Sequence, residues 1–196
     1  MFSKDLGADV CLGLLEERHA PELHQLIDRS RAHLRQWMPW LDWNTSQTDS
    51  KAFIRGSLER FATANGFDVG IWFEGVLAGV IGLHYINHNS RKTEIGYWLG
   101  QEFTGRGIMT KACAALLEHC FEDLKLHRVE IRCASQNLKS CAIPERLGFT
   151  SEGIARDAEW LYDHFVNHKI YGLLEMEWQT SRNLKLSQDV QAVECR

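Results

Sequence analysis

Residues 94–121 read EIGYWLGQEFTGRGIMTKACAALLEHCF. A strand-like run ends in a loop punctuated by Gly105 and Gly107, and a long apolar-striped helix pattern follows at once. Ile108, Met109, Ala112, Cys113, Leu116, Leu117, Cys120 and Phe121 recur at helical spacing and form one continuous stripe. This unit constrains the chain more than any other segment, because it fixes a helix whose first turn opens onto a glycine loop. The first amides of a helix have no partner within it, and the helix dipole adds partial positive charge at the same end. Glycine has no Cβ, so the backbone there can approach a bulky anion. Arg106 adds a cation in the loop, Lys111 adds another one turn on, and the first turn of the helix has no acid. The most economical occupant is a phosphate or diphosphate. The plainer alternative is a turn that only joins strand to helix.

Two familiar phosphate motifs are excluded. Gly100 and Gly105 have the outer spacing of a P-loop, but Arg106-Gly107 stands where Lys-Ser/Thr is required. A dinucleotide fingerprint starting at Gly105 would need Gly or Ala where Thr110 stands.

At 196 residues and 44% hydrophobic composition, the chain suits one domain with a sizeable core, or one domain plus a tail. A net charge of −4 argues against a nucleic-acid partner bound through a broad basic surface. Cysteines at 11, 113, 120, 133, 141 and 195 form no C-x-x-C pair and read as reduced, buried thiols. We find neither a secretory leader nor an apolar run approaching the ~20 residues of a membrane span. The expectation is a soluble, cytoplasmic protein with no membrane partner.

The remaining segments give a coarse order. Residues 10–17 start the fold as a strand, and 22–34 carry Leu23, Leu26, Ile27 and Leu34 at helical spacing. Trp37, Trp40 and Trp43 surround Pro39 in a loop. A second helix spans about 45–66, with Phe53, Leu58 and Phe61 inward and Asn65-Gly66 as its stop. Strands at 67–75 and 76–87 form a hairpin around Glu74-Gly75. In the strand 92–100, Ile95, Tyr97 and Leu99 share one face and Glu94, Gly96 and Trp98 the other. A strand at 127–134 leads to a short helix capped by Asn137, in which Pro144 would interrupt a regular helix. Strands at about 150–160 and 165–178 precede a polar tail, 179–196, expected to fray. The order indicates an α+β fold with a mixed sheet rather than a doubly wound one.

The block EIGYWLGQEFTGRGIMTKA, followed by ASQNLKS and then RLGF, resembles the GNAT acyl-CoA N-acetyltransferase superfamily. Within it the chain is most similar to the ribosomal-protein N-terminal acetyltransferases of the RimL/RimJ type. The resemblance covers about residues 8–178, so residues 1–178 read as the acetyltransferase domain and 179–196 as a polar C-terminal tail. It implies a mixed seven-stranded sheet flanked by helices, with the strands at 92–100 and 127–134 splayed to admit the pantetheine arm of acetyl-CoA. It also implies that the diphosphate rests on backbone amides from Gly105, Arg106, Gly107, Ile108 and Met109. Pantetheine amides would pair with the backbone near Trp98, Leu99 and Gly100, Asn137 would help hold the arm, and Ser140 would sit near the thioester sulfur. A homodimer is a further implication. One departure stands out: Glu102 occupies a position where many superfamily members carry Gln or Arg, so backbone contacts and Arg106 must suffice.

An amine must be neutral to attack a thioester. A protein α-amine, with a pKa of about 7.7–8.0, is roughly a tenth neutral at pH 7, whereas a lysine is neutral only about 0.04% of the time. A carboxylate acting through water could serve an α-amine, and Glu94 is the candidate base, against its reading as a cross-strand charge. A main-chain N–H near Leu99 is the candidate oxyanion donor. Ser140 either protonates the departing thiolate or satisfies helix N-terminal amides. Tyr97 reads as core. An acyl-cysteine route through Cys133 or Cys141 has no nearby histidine in sequence to support it. His164 and His168 fall in a hairpin, and no H-E-x-x-H occurs, so no metal is expected. The Trp37–Trp43 cluster either walls the acceptor site or anchors the first two helices. The leading function is transfer of an acetyl group from acetyl-CoA to a primary amine, with the N-terminal α-amine of a ribosomal protein as the acceptor the resemblance implies. The alternatives are a small amine, aminoacyl compound or antibiotic as acceptor, and a non-catalytic CoA-binding module.

Overall fold

The computed structural model describes residues 3–194, with side chains to residue 184. The described residues form an eight-stranded sheet in the order β1-β2-β3-β4-β5-β6-β8-β7. The strands are β1 (Ser3–Asp5), β2 (Val10–Leu14), β3 (Phe67–Phe73), β4 (Val76–Asn87), β5 (Lys92–Leu99), β6 (Arg128–Ala134), β7 (Thr150–Leu161) and β8 (His164–Leu174). Neighbouring strands run antiparallel except β5 and β6, which are parallel. The α+β expectation stands, with one strand more than the implied seven. That strand is β1, three exposed residues with no alternation to reveal them.

Two helices, α1 (Ala20–Leu34) and α2 (Gln47–Ala62), separate β2 from β3. Their connection is a 3-10 turn, Pro39–Asp42, tied down by Arg31, whose Nη1 and Nη2 donate to Leu41 O (2.7 Å) and Asn44 O (2.8 Å). The buried line of α2 is Ser50, Ile54 and Ser57, while Phe53 and Leu58 are partly buried and Phe61 is exposed. The expected inward set was therefore rotated. Small serines let α2 lie close to the sheet, and Ser57 Oγ accepts Asp68 N at 2.7 Å.

Helix α3 (Ile108–Glu118) buries the whole predicted stripe and passes through a π-helical turn, His119–Asp123. Helix α4 (Leu138–Arg146) runs through Pro144 instead of breaking there. Proline leaves the carbonyl four residues earlier without its helical donor. That carbonyl is Ser140 O, and it accepts the Tyr97 hydroxyl at 3.1 Å.

Strand β8 ends at Leu174, and residues expected to finish it begin α5 (Glu175–Glu194). The tail contains neither Gly nor Pro to stop a helix. Trp178 stacks on Phe121 (5.3 Å between centroids), and Arg182 pairs with Glu118 and Glu122. The segment expected to fray is helical through residue 194, and Cys195 lies outside the described residues. Cys113, Cys120, Cys133 and Cys141 are buried free thiols, while Cys11 is only half-buried. Among the described residues no helix is long and apolar enough to cross a membrane.

Candidate active site

Strand β5 leads through a 3-10 turn, Gln101–Phe103, into the glycine loop. Gly105 and Gly107 have φ of 77° and 75°, in the left-handed region that disfavours a Cβ. A Cβ built on either glycine meets no described atom within 4 Å, so the space above the loop is open. Gly107 is the N-cap of α3, and no described side chain caps that end. The amides of Ile108 and Met109 thus open onto free space at a helix start whose first turn has no acid, an arrangement suited to a diphosphate. The guanidinium of Arg106 lies over the Phe73 ring, 5.5 Å from its centroid.

Gly100 is a different case. Its N–H donates to Ala78 O (2.8 Å), and its carbonyl accepts Phe103 N (3.0 Å). Its N–H is thus engaged, and any pantetheine contact at Gly100 falls to the second lone pair of its carbonyl. What requires glycine here is packing, because a Cβ would lie 2.5 Å from Leu26 Cδ1.

The parallel register of β5 and β6 runs Lys92↔Arg128, Thr93↔Val129 and Glu94↔Glu130, and stops there. β5 continues to Leu99 and β6 to Ala134. The two strands therefore part beyond Glu94 into a V whose open end meets the glycine loop. Five residues of β5, at ~3.3 Å each, leave about 16 Å of edge without a β6 partner. This edge includes Trp98 and Leu99.

Ser140 stands at the V on the α4 side. Its N–H is capped by Asn137 Oδ1 (3.2 Å), so its hydroxyl is not needed for capping. The hydroxyl reaches Cys133 Sγ at 3.2 Å and Tyr97 Oη at 3.3 Å. Tyr97, read from sequence as core, does pack against the core and also joins this cluster; alternation gave its face but could not show its hydroxyl partners. Burial drives its phenol far above the usual range, so it acts as a neutral donor. Burial also pushes the Cys133 thiol up to about 11. Thiolate is then scarce near neutral pH, which argues against an acyl-cysteine route.

The opposite face of β5 carries Glu94, Gly96 and Trp98. Trp98 meets Trp40 at 5.8 Å between centroids, so the Pro39 turn roofs this face. The other end of that turn is held by Tyr162, whose hydroxyl donates to Met38 O at 2.5 Å, with Arg35 stacked on the Tyr162 ring. Trp43 points to solvent, 77% exposed, and does not reach the site. A bulge in β4 between Leu83 and Ile86 turns His84 over Gly96, where a Cβ would sit 2.0 Å from His84 Nε2. His84 Nδ1 is 3.4 Å from Glu94 Oε1, and Arg132 Nε is 3.3 Å from Glu94 Oε2. The hydrogen bond to Glu94 raises the His84 pKa despite partial burial. Glu94 is therefore held between His84 and Arg132 at the closed end of the V.

A second carboxylate on this face went unnoticed in the sequence. Ala134, the last residue of β6, pairs with His168, and His168 Nε2 lies 3.4 Å from Glu159 Oε2. A bulge between Ala155 and Glu159 in β7 sets this pair at the open end. Its only sequence signal was a histidine and an acid in one predicted hairpin. Among the described residues no group of three or more His, Cys, Asp or Glu is placed to hold a metal.

A family model described as acetyltransferase (GNAT) domain matches residues 9–150. The chain belongs to the GNAT acetyltransferase family. It is 39% identical over 183 residues to YdaF of Bacillus subtilis (strain 168), provisionally named a ribosomal N-acetyltransferase; the match covers 91% of this chain and 98% of YdaF. RimL, the ribosomal L7/L12 α-N-protein acetyltransferase, solved with coenzyme A, superposes with a TM-score of 0.84 at 29% identity, covering 87% of this chain and 96% of RimL. The microcin C7 self-immunity acetyltransferase MccE, solved with acetyl-CoA and AMP, gives 0.82 at 30% identity, covering 86% and 94%. As a GNAT enzyme the protein transfers an acetyl group from acetyl-CoA to an amine.

Proposed function

We propose that the acceptor is the N-terminal α-amine of a protein, of the ribosomal class on which RimL acts. The observation that carries the reading of the site is the end of the β5–β6 register at Glu94. It opens a strand edge that leads directly to the acid-free start of α3. Amides from Gly105 through Met109, with Arg106, then hold the diphosphate, and the edge at Trp98 and Leu99 takes the pantetheine amides. Asn137 fixes the first turn of α4 and so aims Ser140 into the V.

On the α4 side, the Ser140 hydroxyl gives a proton to the departing thiolate and regains one from solvent at the open V, while Tyr97, its own proton on Ser140 O, holds the serine in place. On the roofed face, an amine enters between Trp98 and the β6–β8 edge. An N–H near Leu99 steadies the developing oxyanion. Two carboxylates are available to take the amine proton through water. Glu94 is tied to His84 and Arg132, whereas Glu159 at the open end has one imidazole partner. An α-amine needs only a weak base, and neither carboxylate is arranged as a strong one. Direct attack follows, with no covalent acyl-enzyme.

Small-molecule acceptors are the second reading, favoured by the likeness to MccE at the same level as to RimL. Acceptor profiling separates them: thiol release from acetyl-CoA is measured against peptides with free N-termini and a panel of small amines, in wild type, Glu94→Gln and Glu159→Gln. Release only with small amines refutes the protein-acceptor reading. The variant that loses more turnover, and whose pH profile flattens, identifies the base.

A further inference from the structure

Glu102 lies on the 3-10 turn three residues before Gly105. A carboxylate there repels any anion that the loop holds. The structure supplies its counter-charge from another element. Arg29 of α1 places Nη2 2.9 Å from Glu102 Oε1, and its guanidinium carbon is 5.9 Å from the centroid of the Phe103 ring. Phe103 stands edge-on to Phe73 at 6.4 Å, and Phe73 lies beneath Arg106. Two guanidiniums, one from α1 and one from the loop, thus flank a single aromatic pair at the loop's base. The neighbouring α1 residue, Ser30, accepts Gln101 N at 3.3 Å. Leu26, one turn earlier, fills the space beside Gly100. One edge of α1 therefore seats the turn, and Arg29 brings the charge. The pair is about half exposed, at 43% and 53%, so it adds little to fold stability. Its consequence is local potential at an anion site.

We propose that Arg29 is a positioning residue for the coenzyme: it neutralises Glu102, so that the diphosphate meets no uncompensated negative side chain at the loop. This rests on reading the loop as a diphosphate cradle. The test compares KM for acetyl-CoA with KM for S-acetyl-pantetheine, which lacks the diphosphate. It uses wild type, Arg29→Ala, Arg29→Lys and the double variant Arg29→Ala, Glu102→Gln. Arg29→Ala raises KM for acetyl-CoA about three- to tenfold, while KM for S-acetyl-pantetheine stays at the wild-type value. Arg29→Lys keeps most of the affinity, and the double variant recovers it because the unpaired acid is gone. The inference is overturned by an acetyl-CoA KM that does not move, by equal losses for both thioesters, or by a double variant as weak as Arg29→Ala. Failure of the cradle itself reads differently, since wild type would then bind both thioesters equally well.

Discussion

Tyr97→Phe tests how the V is held together. Pro144 cannot donate to Ser140 O, and the Tyr97 hydroxyl is the donor found there, at 3.1 Å. The same hydroxyl also contacts Ser140 Oγ at 3.3 Å. A net hydrogen bond contributes about 0.5–1.5 kcal/mol, and an orphaned buried acceptor costs about 1–3 kcal/mol. The substitution therefore costs about 2 kcal/mol, which for a chain of this size lowers Tm by about 4–8 °C. Urea unfolding followed by circular dichroism measures it, in the wild-type background and in Pro144→Ala. Alanine at 144 restores an N–H for Ser140 O, so there the loss falls below about 1 kcal/mol. Equal losses in the two backgrounds would show that Tyr97 does not serve the carbonyl left by Pro144.

Two further outcomes follow from the site. Ser140→Ala lowers turnover by about 10²-fold or more while calorimetry finds acetyl-CoA affinity unchanged; undiminished turnover removes Ser140 from the chemistry. His84 has a folded pKa raised by Glu94, so its stabilisation is fully present below the unfolded value of about 6.5 and is lost as pH rises through the folded value. The stability difference between wild type and His84→Gln therefore shrinks from about pH 6.5 upward, and an NMR titration of His84 places its midpoint above about 6.5. A midpoint lower than that contradicts the pairing.

The parts legible in the sequence are those written as local periodicity. The stripe of α3, the Glu74-Gly75 hairpin and the two faces of β5 each follow from residues a few positions apart. The α3 start was readable because glycines without a nearby acid have a distinct electrostatic meaning. What stayed hidden depends on contacts distant in sequence. Pro144 signals a break until Tyr97, 47 positions earlier, is seen to satisfy the freed carbonyl. Glu94 read equally as a base or a cross-strand charge, and its partners His84 and Arg132 come from neighbouring strands. Glu159 came into view only when the β7–β8 hairpin placed His168 beside the end of β6. Glu102 looked unfavourable until α1 delivered Arg29.

The most direct test of the central claim is an amide-resolved NMR titration with acetyl-CoA. Saturable shifts at Gly105, Gly107, Ile108 and Met109, together with Trp98 and Leu99 on the open edge of β5, are the expected result. A titration that leaves these amides unmoved while acetyl-CoA still binds would contradict it.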